Sequence, residues 1–262
     1  MTGGRFVATQ KKRDLASSGF ANGPLYNSAR PSYPTPAIDF FVTTFGLDPG
    51  SHVLDLGAGT GIFSRQILAH VGRLTAVDPS ASMRESFRAA TPGVEILDGS
   101  DVSIPLGDAS VDAVFVAQAF HWFDAPKALD EIRRVLRPDG GLGLVWNERD
   151  ESVPWVRELS RTMRWDVEQP YRVGADFSSV LAEGPFADVR RVQFRHAQSL
   201  SRDDLYRRVL TTSYVAVMAE AQRDELMSDV ATVVERQPEI VVLPYVTDVY
   251  RATAKPRADT VG

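Results

Sequence analysis

His52-Val-Leu-Asp-Leu-Gly-Ala-Gly-Thr-Gly61 decides how the rest of the chain is read. An apolar segment, Val53 to Leu56, runs into a turn with glycines at 57, 59 and 61, and a helical pattern starts at Ile62. Glycine carries no Cβ, so the backbone can turn sharply there and approach a ligand closely. Where a buried strand feeds a helix, such a turn lays bare N–H groups beside a nucleotide-sized cleft. Two other readings stand beside this one: a tight loop with no ligand, and a dinucleotide site. The dinucleotide fingerprint is G-x-G-x-x-G, and here the third glycine comes one position early, which weighs against a nicotinamide or flavin.

Outward from that stretch, apolar runs alternate with helical patterns. Strands are predicted near 52–56, 73–77, 94–98, 111–117 and 140–146, with helices near 61–70, 80–90 and 124–136 between them. This is the signature of a doubly wound α/β sheet. Asp124 is placed to cap the last helix, and Pro138-Asp-Gly-Gly141 to stop it. Upstream, Pro31, Pro34 and Pro36 argue against regular helix before a short one from Ala37 to Phe45. Beyond Trp146 the pattern loosens into broken helical stretches over 151–183. A strand from Asp188 to Ala197, helices near 201–217 and 220–236, and a strand from Ile240 to Ala252 follow. The expected fold is a Rossmann-like, seven-stranded, mostly parallel sheet with an antiparallel edge strand and a helical lid. Residues 17–150 form the cofactor core with its N-terminal arm, and 151–254 the lid with the last two strands. Loose ends are expected over 1–16 and 255–262.

The bulk composition narrows the class. With 262 residues, 44% hydrophobic and 24% charged, the chain has material for one large domain or a domain with an elaborated insert. A net charge of −5 weighs against a broad nucleic-acid surface. The absence of cysteine excludes disulfides, thiolate metal sites and cysteine nucleophiles; no metal is expected. No apolar run reaches the ~18 residues of a membrane span. Arg5, Lys11, Lys12 and Arg13, with no apolar block among them, are unlike a secretory signal. The expectation is a cytoplasmic protein, monomer or homodimer, without membrane or nucleic-acid partners.

Further motifs then fall into order over about 50–150. Asp55-Leu-Gly-Ala-Gly-Thr-Gly61 resembles the first motif of class I S-adenosylmethionine-dependent methyltransferases, and Ala76-Val-Asp78-Pro-Ser80 with Met83 the second. Asp98-Gly-Ser-Asp-Val-Ser-Ile-Pro-Leu106 with Asp112-Ala-Val-Phe115 resembles the third, and Glu131 to Gly141 is similar to the helix and turn before the fifth strand. Tyr26…Arg30-Pro-Ser-Tyr33-Pro, Ala117 to Asp124 and Leu243-Pro-Tyr245…Tyr250 resemble a small-molecule branch that includes trans-aconitate-type enzymes.

The resemblance implies S-adenosylmethionine as cofactor and gives residues their roles. Gly57, Ala58, Gly59, Thr60 and Gly61 would face the methionine moiety, supported by Asp55. Asp78, with Pro79, would hold the ribose diol, a helix N-cap being the alternative for Asp78. Met83 would cover an adenine face unless it is a core residue. Ser100, Asp101 and Val102 would meet the adenine edge; the family pattern has Ala-Glu where this chain has Asp101-Val102, so Asp101 is the choice for the amino group. Ala117 and Gln118 would meet the methionine amine through carbonyls, Arg30 its carboxylate, with Tyr26 over the same end.

Of four histidines, His121 follows the carboxyl end of the fourth strand, where ligands bind in open α/β sheets. It is the candidate catalytic residue, as base or as donor to a substrate carboxylate; fixing its own loop is the alternative. Trp122, Trp146, Tyr214 and Tyr245 are candidate walls of the substrate pocket, with Trp155 and Trp165 further aromatics that core packing would equally explain. Arg133-Arg134, Arg190-Arg191 and Arg207-Arg208 are read as solvated pairs. The expected function is methylation of a small molecule. A nucleic-acid or protein methyltransferase, and a cofactor-binding regulator without turnover, are the alternatives.

Overall fold

The computed structural model of the chain describes residues 30–164 and 176–256. In order these form α1 (Thr35–Phe45), β1 (His52–Leu56), α2 (Ile62–Ile67) with a 3-10 turn at Leu68–His70, β2 (Arg73–Val77), α3 (Ala81–Ala90), β3 (Glu95–Leu97) and β4 (Val111–Ala117). A 3-10 turn at Phe120–Trp122, α4 (Ala125–Val135), β5 (Leu136–Arg149), α5 (Pro154–Thr162), α6 (Ser178–Glu183) and β6 (Phe186–Ser201) come next. The series closes with α7 (Arg202–Leu210), α8 (Ser213–Ala216), α9 (Glu220–Val234) and β7 (Ile240–Ala254). No helix among the described residues is long and apolar enough to cross a membrane.

The seven strands make one sheet in the order β3-β2-β1-β4-β5-β7-β6. β3, β2, β1, β4 and β5 pair in parallel, while β7 runs antiparallel to both β5 and β6, so the reversed strand is β7 with β6 outermost. Every residue of β1 is buried, as a central parallel strand covered on both faces requires. Alternate residues face opposite ways. Val53, Ala113 and Phe115 meet Ile38, Phe41 and Phe63 from α1 and α2 on one face. Leu54, Leu56, Val114 and Val116 meet Leu129, Ile132 and Leu181 from α4 and α6 on the other.

Several local features depart from the sequence reading. Pro36 sits in the first turn of α1, which starts at Thr35 with Pro34 as its N-cap, because an N-terminal helical position needs no N–H donor. Asp124 precedes α4 but makes no capping bond; its carboxylate pairs with Lys127 at 2.8 Å instead. Pro138 does not separate helix from strand: the chain pairs with β4 at Leu136, leaves the ladder, and rejoins it at Gly141. A Cβ at Gly141 would stand 2.3 Å from the Phe45 ring, so glycine there lets α1 close on the sheet.

The second half builds a separate apolar cluster. β5, β6 and β7 run past the parallel sheet, and α5, α7, α8 and α9 pack on their extensions through Val156, Leu205, Val209, Val230, Leu243 and Tyr245. The helix read over 201–217 is broken into α7 and α8. Thr211 and Thr212 turn their hydroxyls back onto the Arg208 carbonyl at 3.0 and 3.3 Å, which competes with helical continuation.

Candidate active site

β1 ends in the glycine turn, where Gly57, Gly59 and Gly61 all have positive φ (+73°, +54° and +78°), a region side chains rarely enter. The three are not equivalent. A Cβ at Gly57 would lie 2.7 Å from Ala119, and one at Gly61 2.8 Å from Phe87 and from Thr91, whereas nothing lies within 4 Å of a Cβ at Gly59. Gly57 and Gly61 therefore serve packing, and Gly59 opens onto free space.

Asp78, just beyond β2, holds that turn. Its Oδ2 accepts from the Gly59 amide and its Oδ1 from the Ser80 amide, both at 2.9 Å. The N-cap of α3 is Ser80, not Asp78. Burial pushes the Asp78 carboxyl up, against the two amide bonds and Arg84 that pull it down. Arg84 in turn donates to the Asp78 carbonyl at 2.9 Å and grips Asp98 with two nitrogens. Asp55, one strand back, accepts from Ser64 Oγ at 2.5 Å through Oδ2. Its buried Oδ1 has no hydrogen-bond partner among the described residues. Burial first, then the Asp78 charge, push Asp55 up to about 7 despite the Ser64 bond.

A cavity of about 400 Å³ opens above the carboxyl ends of β1, β2 and β4, a volume suited to small ligands. Of the residues predicted for the cofactor, Gly57, Ala58, Gly59, Thr60, Asp78, Pro79 and Met83 line one side. Ser100, Asp101, Val102, Ala117, Gln118 and Arg30 also line it. Asp101 is fixed by the Asp124 amide, which donates to its Oδ2 at 2.8 Å. Gln118 leaves β4 at φ +61°, turning the chain across the cavity mouth. Asp55 and Gly61 lie behind this wall and do not line the cavity; Tyr26 lies outside the described residues.

Among the predicted substrate residues, His121, Trp122 and Tyr245 line the cavity. Trp146 and Tyr214 do not. Trp146 alternates to the core face of β5 and stacks on Phe177 at 4.5 Å, its indole N–H reaching His121 Nδ1 at 3.5 Å. Tyr214 sits in the lid core and donates its hydroxyl to the Met163 carbonyl at 2.6 Å. Trp165 lies outside the described residues, and Trp155 packs at the edge of the lid cluster.

The sequence reading missed the cavity's distal wall: Asn147, Glu148, Arg149, Arg208, Thr212 and Ser213. Arg208 is not a solvated residue. It shares a helical stripe with the buried Leu205 and Val209, the one signal that would have turned it inward. Its Nε donates to Tyr245 Oη at 3.1 Å. Arg149, the β5 partner of Tyr245 in register, donates to Ser160 Oγ at 3.1 Å. Burial lowers the Arg149 pKa, with nearby Arg208 adding to the effect. Arg133 and Arg134 also face protein: Arg133 donates to the Lys255 carbonyl, and Arg134 binds Glu131 and Asp108.

The arm before α1 closes the cavity's side. Arg30 donates to the Thr211 carbonyl at 2.7 Å, Asn147 to the Ser32 carbonyl at 3.1 Å, and Gln66 to the Tyr33 carbonyl at 2.7 Å. His196 Nε2 donates to Asn147 Oδ1 at 3.1 Å, since the amide nitrogen is engaged with Ser32. The ring stacks on Tyr245. His52 bonds Ser110 and Thr75 at the opposite end of the sheet, away from the site.

A doubly wound sheet with a glycine turn after β1, a carboxylate after β2 and a cavity over both defines an α/β domain for a nucleoside-containing cofactor. Comparison with known proteins specifies which. Residues 54–144 match the family described as "Methyltransferase domain". An uncharacterized methyltransferase of Mycobacterium tuberculosis is 38% identical, over 94% of this chain and 99% of its own. A solved protein of Anaeromyxobacter dehalogenans, provisionally designated a type II methyltransferase, shares the fold with a TM-score of 0.65 at 22% identity, covering 87% of this chain and 99% of that one. Phosphoethanolamine N-methyltransferase 2 of Haemonchus contortus, solved with phosphomonomethylethanolamine and S-adenosylhomocysteine, gives a TM-score of 0.52 at 16% identity over 97% of this chain and 61% of that one. The chain belongs to the S-adenosylmethionine-dependent methyltransferases.

Proposed function

We propose that the protein methylates a small molecule enclosed between the glycine turn and the lid. The observation that carries this reading is the size and lining of the cavity. Arg30 of the arm reaches Thr211 of the lid, and Tyr245 and Arg208 stand on the distal side of a cavity of about 400 Å³, a size suited to a small ligand. The net charge of −5 favours the same choice over nucleic acid.

Residues of the near wall suit the cofactor. Gly59 leaves open space where any side chain would intrude, and Asp78 places a buried carboxylate beside it to hold a ribose diol. With the cofactor bound, Met83 would pack beside the base, Asp101 would receive its amino group, the Ala117 and Gln118 carbonyls would meet the methionine amine, and Arg30 would bind its carboxylate; all five residues line the cavity. Bound there, S-adenosylmethionine supplies a methyl group already activated on a sulfonium. The chain's own task is to orient the acceptor and exclude water, which the lid and arm perform.

His121 faces the acceptor side. An indole N–H only donates, so His121 Nδ1 is the acceptor where Trp146 reaches it at 3.5 Å. From that side of the cavity His121 would orient the acceptor, as hydrogen-bond donor or as base. Incubation with labelled S-adenosylmethionine and panels of metabolites, oligonucleotides and peptides tests the reading. Label transfer to a metabolite is expected, with slower turnover in His121→Ala. Transfer only to the polymers would refute it.

A further inference from the structure

Arg208 lines the distal wall of the cavity, apart from the residues assigned to the cofactor. Its Nε is fixed by Tyr245 Oη at 3.1 Å, and its guanidinium carbon lies 5.7 Å from the Tyr245 ring centre. The Tyr245 ring is held by stacking on His196, and His196 by Asn147. The Nη1 of the same guanidinium is buried with no hydrogen-bond partner among the described residues, in a residue that lines the cavity. A buried guanidinium nitrogen left unpaired is costly, and an anionic oxygen is the partner that best satisfies it.

Charge and position say what kind of anion. The distal wall carries two guanidiniums, Arg149 and Arg208, against the one carboxylate of Glu148, which leaves one unbalanced positive charge there. One unbalanced cation suits a singly charged carboxylate better than a phosphate dianion. Arg149 and Tyr245 are paired in register, four residues beyond Val145, which is level with Ala117 at the end of β4. At roughly 3.3 Å per residue the strand carries them about 13 Å past that level. We propose that Arg208 anchors a carboxylate of the methyl acceptor at the end of the cavity away from the glycine turn. The methylated atom is then a different part of the same molecule. This rests on the small-molecule reading above.

The test uses the full chain saturated with S-adenosylhomocysteine. Small aliphatic and aromatic monocarboxylates, each paired with its primary amide, are titrated by calorimetry and ligand-observed NMR. Acids are expected to bind at least tenfold more tightly than their amides. Arg208→Gln is expected to remove that preference, and Arg208→Lys to keep part of it, with S-adenosylhomocysteine affinity unchanged. Equal binding of acid and amide by the wild type, no binding of any acid, or an undiminished preference in a folded Arg208→Gln overturns the proposal. The wild-type comparison decides even if the variant does not fold. Failure of S-adenosylhomocysteine to saturate the protein would strike the cofactor site instead.

Discussion

Alanine substitutions at Gly61 and Gly59 separate the two duties of the turn. Both positions have positive φ, where a Cβ costs about 1–2 kcal/mol. At Gly61 the added carbon also stands 2.8 Å from Phe87 and Thr91, both buried. Overpacking of that kind adds about 1–3 kcal/mol. Gly61→Ala should therefore cost about 2–5 kcal/mol of unfolding free energy, and Gly59→Ala only about 1–2. Affinity should show the opposite emphasis for Gly59, whose methyl would project into the cavity: S-adenosylmethionine binding weakens at least tenfold while the fold persists. Urea unfolding gives the first ordering and calorimetry the second. If Gly59→Ala binds the cofactor as the wild type does, the turn is not the cradle argued for; equal destabilisation of the two variants refutes the packing argument.

Three further outcomes are expected. Asp55 has its carboxyl raised from 3.8 to about 7 in the folded chain, so the fold holds that proton more tightly than the unfolded chain does. Stability from this group is full below about pH 4 and is lost as pH rises toward 7. In Asp55→Asn, urea midpoints should lack that part of the decline; an identical pH profile would argue against a raised Asp55. Trp146→Ala should cost about 3–5 kcal/mol, as loss of a large core side chain does, and urea unfolding at wild-type stability would return Trp146 to the cavity wall. Arg30→Ala should raise the dissociation constant for S-adenosylmethionine about tenfold in calorimetry. An unchanged value would confine Arg30 to its contact with Thr211.

The parallel half of the fold was legible because its signals are local. β1, β2 and β4 occupy the predicted residues, since each is a short apolar run ended by a glycine, an aspartate or a turn. Asp78 and the loop at Ser100–Val102 are legible through the resemblance of their motifs to the family's, and the structure brings both to the cavity. The distal wall resisted for a physical reason. Arg149, His196 and Tyr245 meet only through pairing of strands far apart in sequence. β5, β6 and β7 also extend beyond the parallel sheet into the lid, where one long strand serves two cores and its alternation loses contrast. Trp146 and Tyr214 were misplaced because aromatic character does not say which face of a strand or helix is wet. Arg207 and Arg208 look alike in sequence, yet one binds Asp204 on an exposed face and the other lines the cavity.

Titration of the wild type and Asp78→Ala with S-adenosylmethionine, followed calorimetrically, tests the central claim most directly. The Asp78 side chain both bonds the Gly59 amide and lines the cavity. One molecule should bind per wild-type chain, with affinity at least tenfold weaker in a folded Asp78→Ala. Saturable binding that Asp78→Ala leaves intact, or no binding to the wild type, would contradict the placement of the cofactor at the glycine turn.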